Sequence, residues 1–577
     1  MDALNAQQDP NTYLLWRRFP MPTENGTKDA IAVPNTVAEQ LISAYTIMLE
    51  MIMMNLWFIL SAIVIYSRLE QSKKAHPLAA FHWNNRALFS NQLLKYLFYP
   101  WGNRPETQRH GHYRRRWLYP LIFFVVAAWV ATIALPIFIA PFISIGQAAP
   151  VRPEAIFYPP TPTSSDPNAL HARIFVLEAP SALRAAGRAQ TADGNLRQKI
   201  RISQFRNDLD DGETNLRINY GYDVTGAEFG LQRFPDLTLH VQGSCTTEYG
   251  WVESVPGNDG GYALDTYREF NSTNRSTTVS LYDGLFPSAT FETGDLVGPG
   301  NITWAAFVSS VDRLSFTAGT DPWYLTEPYN DTGIGAAYTV RPRRPALSCW
   351  QQDVWSFRGA NSTVAGLNAT ALPGLDLPPA MQELLLHYLG QPKIVPMARR
   401  LGGSALAATQ TALGGMFDAG ASSVYEDLQR LVLAAYVATS SVLNDTTLFQ
   451  TTNTEGVENQ AIDGTGQVRD GVADFVVWSS DVATLSVKAI IIIPTIALAL
   501  WLVVLALLNN KPLDRVTEVY DSDVMCQKLL DESDLEVRDG KWQKKNGGDA
   551  SKAMPPVTNG DKNDINLFET EVPASKV

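Results

Sequence analysis

Apolar positions along the chain fall into three long blocks and a series of short alternating runs, and the two patterns predict different structures. Residues 41–66, 118–145 and 489–508 each supply roughly the 20 apolar residues that a helix needs to cross a hydrocarbon core. The third, AIIIIPTIALALWLVVLALL, carries no charge and is followed at once by Asn509, Asn510 and Lys511. Within the second, 121–140 is uncharged, and Trp117 and Tyr119 stand where an interfacial aromatic belt belongs. The first contains Glu50 and Asn55. An acid inside an apolar block is a functional candidate, so Glu50 is a possible intramembrane polar site, unless the helix starts after it and leaves it at the interface. Pro136, Pro141 and Pro494 predict kinks, which membrane helices tolerate. No basic n-region with a small-residue cleavage site precedes the first block, which is therefore expected to be a retained anchor.

Basic residues orient these blocks. Segment 67–117 carries ten Lys or Arg against Glu70 and Glu106, which predicts a cytoplasmic loop. Alternation then places 1–40 and 146–487 outside the cytoplasm and the tail 509–577 inside it. N-glycosylation needs Asn-x-Ser/Thr on the outer side, and eight such sequons occur: Asn25, Asn271, Asn274, Asn301, Asn330, Asn361, Asn368 and Asn444. All eight lie in the segments expected outside, so the chain reads as a multi-pass glycoprotein of the plasma membrane or an endomembrane. Cys245 and Cys349 share that compartment and are expected to form a disulfide, with two buried free thiols as the alternative. Closing a loop of about 105 residues would contribute roughly 4–5 kcal/mol through the unfolded state. Cys526, in the tail, is expected to stay reduced.

Between the second and third blocks the short runs take over. RINYGYDV, LTLHVQGS, TTVSLYDG, TWAAFVSSV, AAYTVRP and DVWSFRG alternate like strands and are separated by Gly, Asp and Asn turns, predicting antiparallel sheet from about 170 to 361. From about 378 to 444 the period becomes helical, in AMQELLLHYLG, SALAATQTALGGMF and SVYEDLQRLVLAAYVATSSVL. In the last, Val424, Leu428, Leu431, Val432 and Ala435 share a face. The expected fold is thus three transmembrane helices and a large α+β extracytoplasmic domain, sheet-rich first and helical after. Residues 79–101 fit either a helix in the headgroup region or one packed on the membrane helices. The tail is polar beyond about 530 and is expected to be disordered, apart from a short helix near 516–530.

Charge narrows the partners. Residues 147–487 hold 36 acids and 22 bases, a net −14, which argues against nucleic acid, while the basic loop suits an anionic leaflet. The expected partners are the lipid bilayer and an unidentified ligand or protein outside; the oligomeric state is not legible. No cofactor or metal is expected: the segment has only His171, His240 and His387, with no His-Glu-x-x-His, Cys-x-x-Cys or Gly-x-Ser-x-Gly. The run 207–214, with Asp208, Asp210 and Asp211 before Gly212, misses a calcium-loop spacing by one residue and reads as an acidic turn. Trp251, Trp304, Trp323, Trp350, Trp355 and Trp478 offer either a ligand platform or core.

The segment SCWQQDVWS at 348–356, with LPGLDLPP at 372–379 and GSAL at 403–406, resembles uncharacterised multi-pass membrane glycoproteins of filamentous fungi. That resemblance implies no agreed activity; some such proteins are encoded beside secondary-metabolite pathways. Two functions remain open. One is a non-enzymatic surface or lumenal protein that binds, senses or anchors. The other is a membrane-anchored ecto-enzyme, hydrolase-like, acting through 146–487.

Overall fold

The structure is a computed structural model. It describes residues 9–72, 130, 134–157, 167–208, 213–254, 264–268, 270, 276–280, 287–296, 301–309, 313–330, 337–341, 344–413, 415–448, 461–508, 535–538 and 541–544. The chain divides into two units, one of Met1–Ala38 with Ser144–Lys488, the other of Glu39–Ile143 with Ala489–Val577.

A seven-stranded sheet organises the first unit. Its strands are β5 (Ile200–Asp208), β6 (Thr214–Thr225), β7 (Thr238–Glu248), β11 (Ser288–Leu296), β12 (Asn301–Ser309), β16 (Ala346–Phe357) and β17 (Ala360–Thr363). They run in the order β11-β12-β16-β7-β6-β5, with β17 also on β16, and every pairing is antiparallel. Alternation decides which side each residue takes. On β6, Leu216, Ile218, Tyr220, Tyr222 and Val224 are buried, while Arg217 is exposed and Asn219 and Asp223 are partly exposed. Cys245 and Cys349 lie directly opposite one another on β7 and β16, with their sulfurs at bonding distance. Five of the expected strand runs contain or overlap β6, β7, β12, β16 and β15 (Tyr338–Val340); TTVSLYDG overlaps β10 (Ser276–Ser280).

Helices cover the inner face. α5 (Val424–Ser440) begins at Ser423, whose hydroxyl accepts the Glu426 N–H, and lies on β5 and β6. It is buried nearly all round because α2 (Pro167–Gln190) also packs on it, and both helices bury alanines, Ala182, Ala185, Ala186 and Ala189 on α2 and Ala434, Ala435 and Ala438 on α5. Small side chains at i, i+3, i+4 and i+7 let the two backbones approach. The 24-residue α2 is a helix that the sequence did not announce within this sheet-rich part of the domain. α3 (Pro379–Leu389), α4 (Ile394–Leu401) and α6 (Val442–Asp445) complete the layer. A correction concerns 404–417, expected as helix: it forms the 3-10 turns Gly402–Ala405 and Ala407–Thr411, then the short strand β18 (Met416–Phe417). The Asp427 carboxylate takes the N–H groups of Ala407 and Ala408 at 2.7 and 3.3 Å, and Gly402 and Gly415 turn the chain with φ of 55° and 85°.

Smaller sheets flank this core. β8 (Val252–Ser254), β9 (Leu264–Arg268) and β10 form one, and β13 (Leu314–Ser315), β14 (Thr326–Pro328), β15 and β18 another. The N-terminal residues form a hairpin, β1 (Arg18–Thr23) and β2 (Gly26–Pro34), turned at Glu24 and Asn25, with Gly26 at a φ of 101°. Far along the chain, β20 (Val482–Ser486) pairs with β2 on one side and β3 (Ser144–Gly146) on the other, while β19 (Val476–Trp478) pairs with β4 (Ala148–Pro150). Strand therefore precedes the third apolar block.

In the second unit two helices are long and apolar enough to cross a membrane, Asn35–Leu56 and Val487–Leu507. The first is part of α1 (Asn35–Ser72), which starts ahead of the expected 41–66 and extends beyond it. Its 38 residues span about 57 Å, well over a hydrocarbon core. The second is α7 (Val487–Leu508). Tyr45 donates to the Ile490 carbonyl at 2.9 Å, which sets α1 and α7 side by side. Of the second block Val130, the short apolar helix Ala134–Ile143 and the first two residues of β3, Ser144 and Ile145, are described; the rest of 118–145, the 79–101 segment and 516–530 lie outside the described residues. The tail, expected without structure, contains the hairpin β21 (Leu535–Arg538) and β22 (Lys541–Lys544), with the turn-forming dipeptide Asp539-Gly540 between the strands.

Candidate functional site

The outer face of the large sheet carries polar groups in register across its strands. One row across the strands is Ser203, Asn219, Ser244, Trp350 and Thr303; the next is Arg201, Gly221, Gln242, Gln352 and Asn301; a third is Asp223, His240, Val354 and Thr363. Asp223 accepts from Arg201 at 2.6 and 3.3 Å, and its Oδ1 lies 2.7 Å from His240 Nδ1. Burial alone would raise the Asp223 carboxyl, but the bonds from Arg201 and His240 outweigh it and hold it below its ordinary value. Gly221 makes room for this cluster, since a Cβ there would stand 3.5 Å from Arg201 Nη2 and 2.9 Å from the Val241 carbonyl. Ser244 donates to Asn219 at 2.8 Å. At one end the face is closed by Trp251 and Tyr267 packing on Ala305, Phe307 and Ala346.

Trp350 is 39% exposed among these amides and hydroxyls. The arrangement offers a flat apolar ring beside donors and acceptors from Gln242, Gln352 and Asn219, which suits a hydroxyl-rich ligand. His240 is oriented by Asp223 as a general base would be, yet no hydroxyl or thiol is hydrogen-bonded to it among the described residues.

The inner face holds three carboxyls that sequence reading did not single out. Asp353 accepts from Gln351 at 2.8 Å; Gln351 accepts from Tyr220, which accepts from Trp304. Asp427 accepts from Tyr324 at 2.5 Å besides Ala407 and Ala408, and Asp321 accepts the Trp323 and Val424 N–H groups. Burial pushes Asp353 and Asp427 up to about 7 and Asp321 up to about 6. Asp321 and Asp427 tie loops to α5, and nothing in their spacing along the chain marks them, because their partners Val424 and Tyr324 are each 103 residues away.

The residues expected from sequence are scattered. Asn25, Asn330, Asn361 and Asn368 are exposed and Asn301 is partly so; Asn271 and Asn274 lie outside the described residues. Asn444 is in α6, and the Thr446 of its sequon is wholly buried, donating to the Leu443 carbonyl. Glu50 is exposed on α1. His240 joins Asp223, His387 is on α3, and His171 falls in α2. The six tryptophans are no platform: Trp251, Trp304, Trp323 and Trp355 are core, and only Trp350 and Trp478 reach the surface. In the acidic run, Asp208 pairs across the hairpin with Thr214 and is bonded to Arg206, while Asp210 and Asp211 lie outside the described residues.

No curated protein and no solved structure matches the chain. Residues 179–477 match the family described as Domain of unknown function (DUF8406), a stretch that runs from α2 to β19 and leaves out both long apolar helices. With more than half of its length matched, the chain belongs to that family.

Proposed function

We propose that the chain is a three-span membrane glycoprotein whose outer domain binds a hydroxyl-rich, sugar-like ligand on the open face of its large sheet. The observation that carries the binding reading is the alignment of Trp350 with Ser244 and Asn219, and of Gln352 with Gln242, on three neighbouring strands. Parity supports the topology. β2 leads into α1 and β3 follows the second apolar block, yet both pair with β20, so a crossing made by α1 has to be reversed before Ser144. α7 then leaves the same sheet once more and carries the tail across. Glu50 lies five residues beyond Tyr45, hence about 7 Å deeper than the Ile490 level, which favours a place inside the bilayer.

Asn301 and Asn361 stand on β12 and β17, along one border of the open face. Their glycans would wall that side and leave the β5–β7 side for the ligand. The test is oligosaccharide binding to the detergent-solubilised full-length protein, beside the double variant W350A/Q352A. Binding lost in the variant at unchanged melting temperature supports the reading. Equal binding by both proteins, or none by either with glycosylation sites intact or removed, defeats it. Glycosidase digestion with each sequon mutated reads the topology separately; no mass shift would overturn the outer placement.

A further inference from the structure

Charges from α2, α4 and α6 converge around Lys393, the residue that opens α4. Glu178, Ser181 and Arg184 occupy successive turns of α2. Arg184 Nη2 is 2.7 Å from Asp445 Oδ1, Ser181 donates to the other oxygen of the same carboxylate, and Arg400 Nε is 3.0 Å from Glu178 Oε2. Each of these carboxylates therefore already has a guanidinium. Lys393 has neither an ion-pair partner nor a hydrogen bond from its ammonium among the described residues; Nζ stands 5.3 Å from the centre of the Tyr388 ring. Glu383, on the preceding helix, is bonded to Arg469. His387, beside Tyr388, is held below its ordinary value by burial and adds no charge near neutral pH.

Among the described residues the two carboxylates Asp445 and Glu178 are bonded to Arg184 and Arg400, and neither is bonded to Lys393. Burial lowers the Lys393 amine, with Glu178 and Asp445 opposing the shift only from a distance. The positive end of α4 adds to the positive charge of the amine. Lys393 is partly exposed as a residue.

We propose that Lys393, between Tyr388 and the Arg184 and Arg400 ion pairs, binds one oxyanion, the carboxylate or phosphate group of a small ligand. This site is separate from the sheet face and does not rest on the membrane reading. The oxyanion supplies a negative charge beside the amine, and its binding raises the proton affinity of the amine. Arg184 and Arg400 stay on their carboxylates and fix the walls.

The experiment is competitive acylation of the full-length protein with an N-hydroxysuccinimide ester, read by mass spectrometry, with Lys199 as the internal control because it is bonded to Glu228 at 2.8 Å and held above its ordinary value. Lys393 is expected to react at lower pH than Lys199. Millimolar acetate or phosphate, added separately at constant ionic strength, is expected to slow Lys393 several-fold and leave Lys199 unchanged; which of the two protects names the ligand group. Protection by neither overturns the proposal. Anion-induced thermal stabilisation is expected to be kept in K393R and lost in K393M, and its persistence in K393M also overturns it. Protection in the unmodified chain decides the matter if the variants do not fold.

Discussion

The two faces of the large sheet are made by the same strands, residue by residue in alternation, yet they obey different physics. Inward, Tyr220, Tyr222, Trp304 and Trp355 are buried, and the polar atoms of the first three are bonded to one another or to Gln351 and Thr439, with Gln351 passing on to Asp353. Outward, Arg201, Asp223 and His240 keep their polar atoms near water and form bonds of little net worth to stability. Substitutions on the inner face should therefore move stability, and those on the outer face should move recognition.

The largest effect is expected from Trp355→Ala, which empties a fully buried site against Phe229. A loss of about 3–5 kcal/mol in urea unfolding is expected; a loss near zero would mean that the inner face is not a packed core. Gly243→Ala comes next. A Cβ there would stand 2.2 Å from the Tyr220 ring, whose hydroxyl is held by Gln351 and Trp304, so the ring cannot swing away cheaply. The expected cost is about 2–3 kcal/mol.

Acid pH sharpens the same contrast. Asp353, Asp427 and Asp321 bind protons in the folded state up to about 7, 7 and 6, whereas the unfolded carboxyls, near 3.8, have lost theirs. Their contribution to stability is thus full below the unfolded value and is lost as pH rises through about 6 to 7. Lowering pH from 8 to 5.5 should raise the melting temperature by a few degrees. His387, depressed by burial, works against this as a single group. Asp427→Asn should shrink the rise, and an unchanged rise would clear that carboxyl. The smallest stability effect is expected from Trp350→Ala, under about 0.5 kcal/mol, with ligand binding lost.

The inner face was the legible one. Alternation in RINYGYDV and LTLHVQGS is dictated by burial, and it announces the strands it builds. The α5 stripe of Val424, Leu428, Leu431, Val432 and Ala435 is legible for the same reason, and all five are buried. α2 was missed because its buried stripe is alanine, which registers weakly as apolar beside Arg184 and Arg188. The 404–417 stretch misled because its helical composition loses its backbone donors to Asp427, a contact between residues about 20 apart. The open face was illegible for a related reason: Trp350 and Gln242 become neighbours only once register joins strands more than 100 residues apart.

The pairing of β2 with β20 also sets a clock on biogenesis. Val33 and Ala32, buried in the finished domain, are made about 450 residues before the strand that covers them. At roughly 5–20 residues per second, the N-terminal hairpin waits between about twenty seconds and a minute and a half for its partner. During that interval it has an open edge, and any chain that stops short of β20 keeps that edge permanently, displaying its own incompleteness to whatever inspects nascent chains.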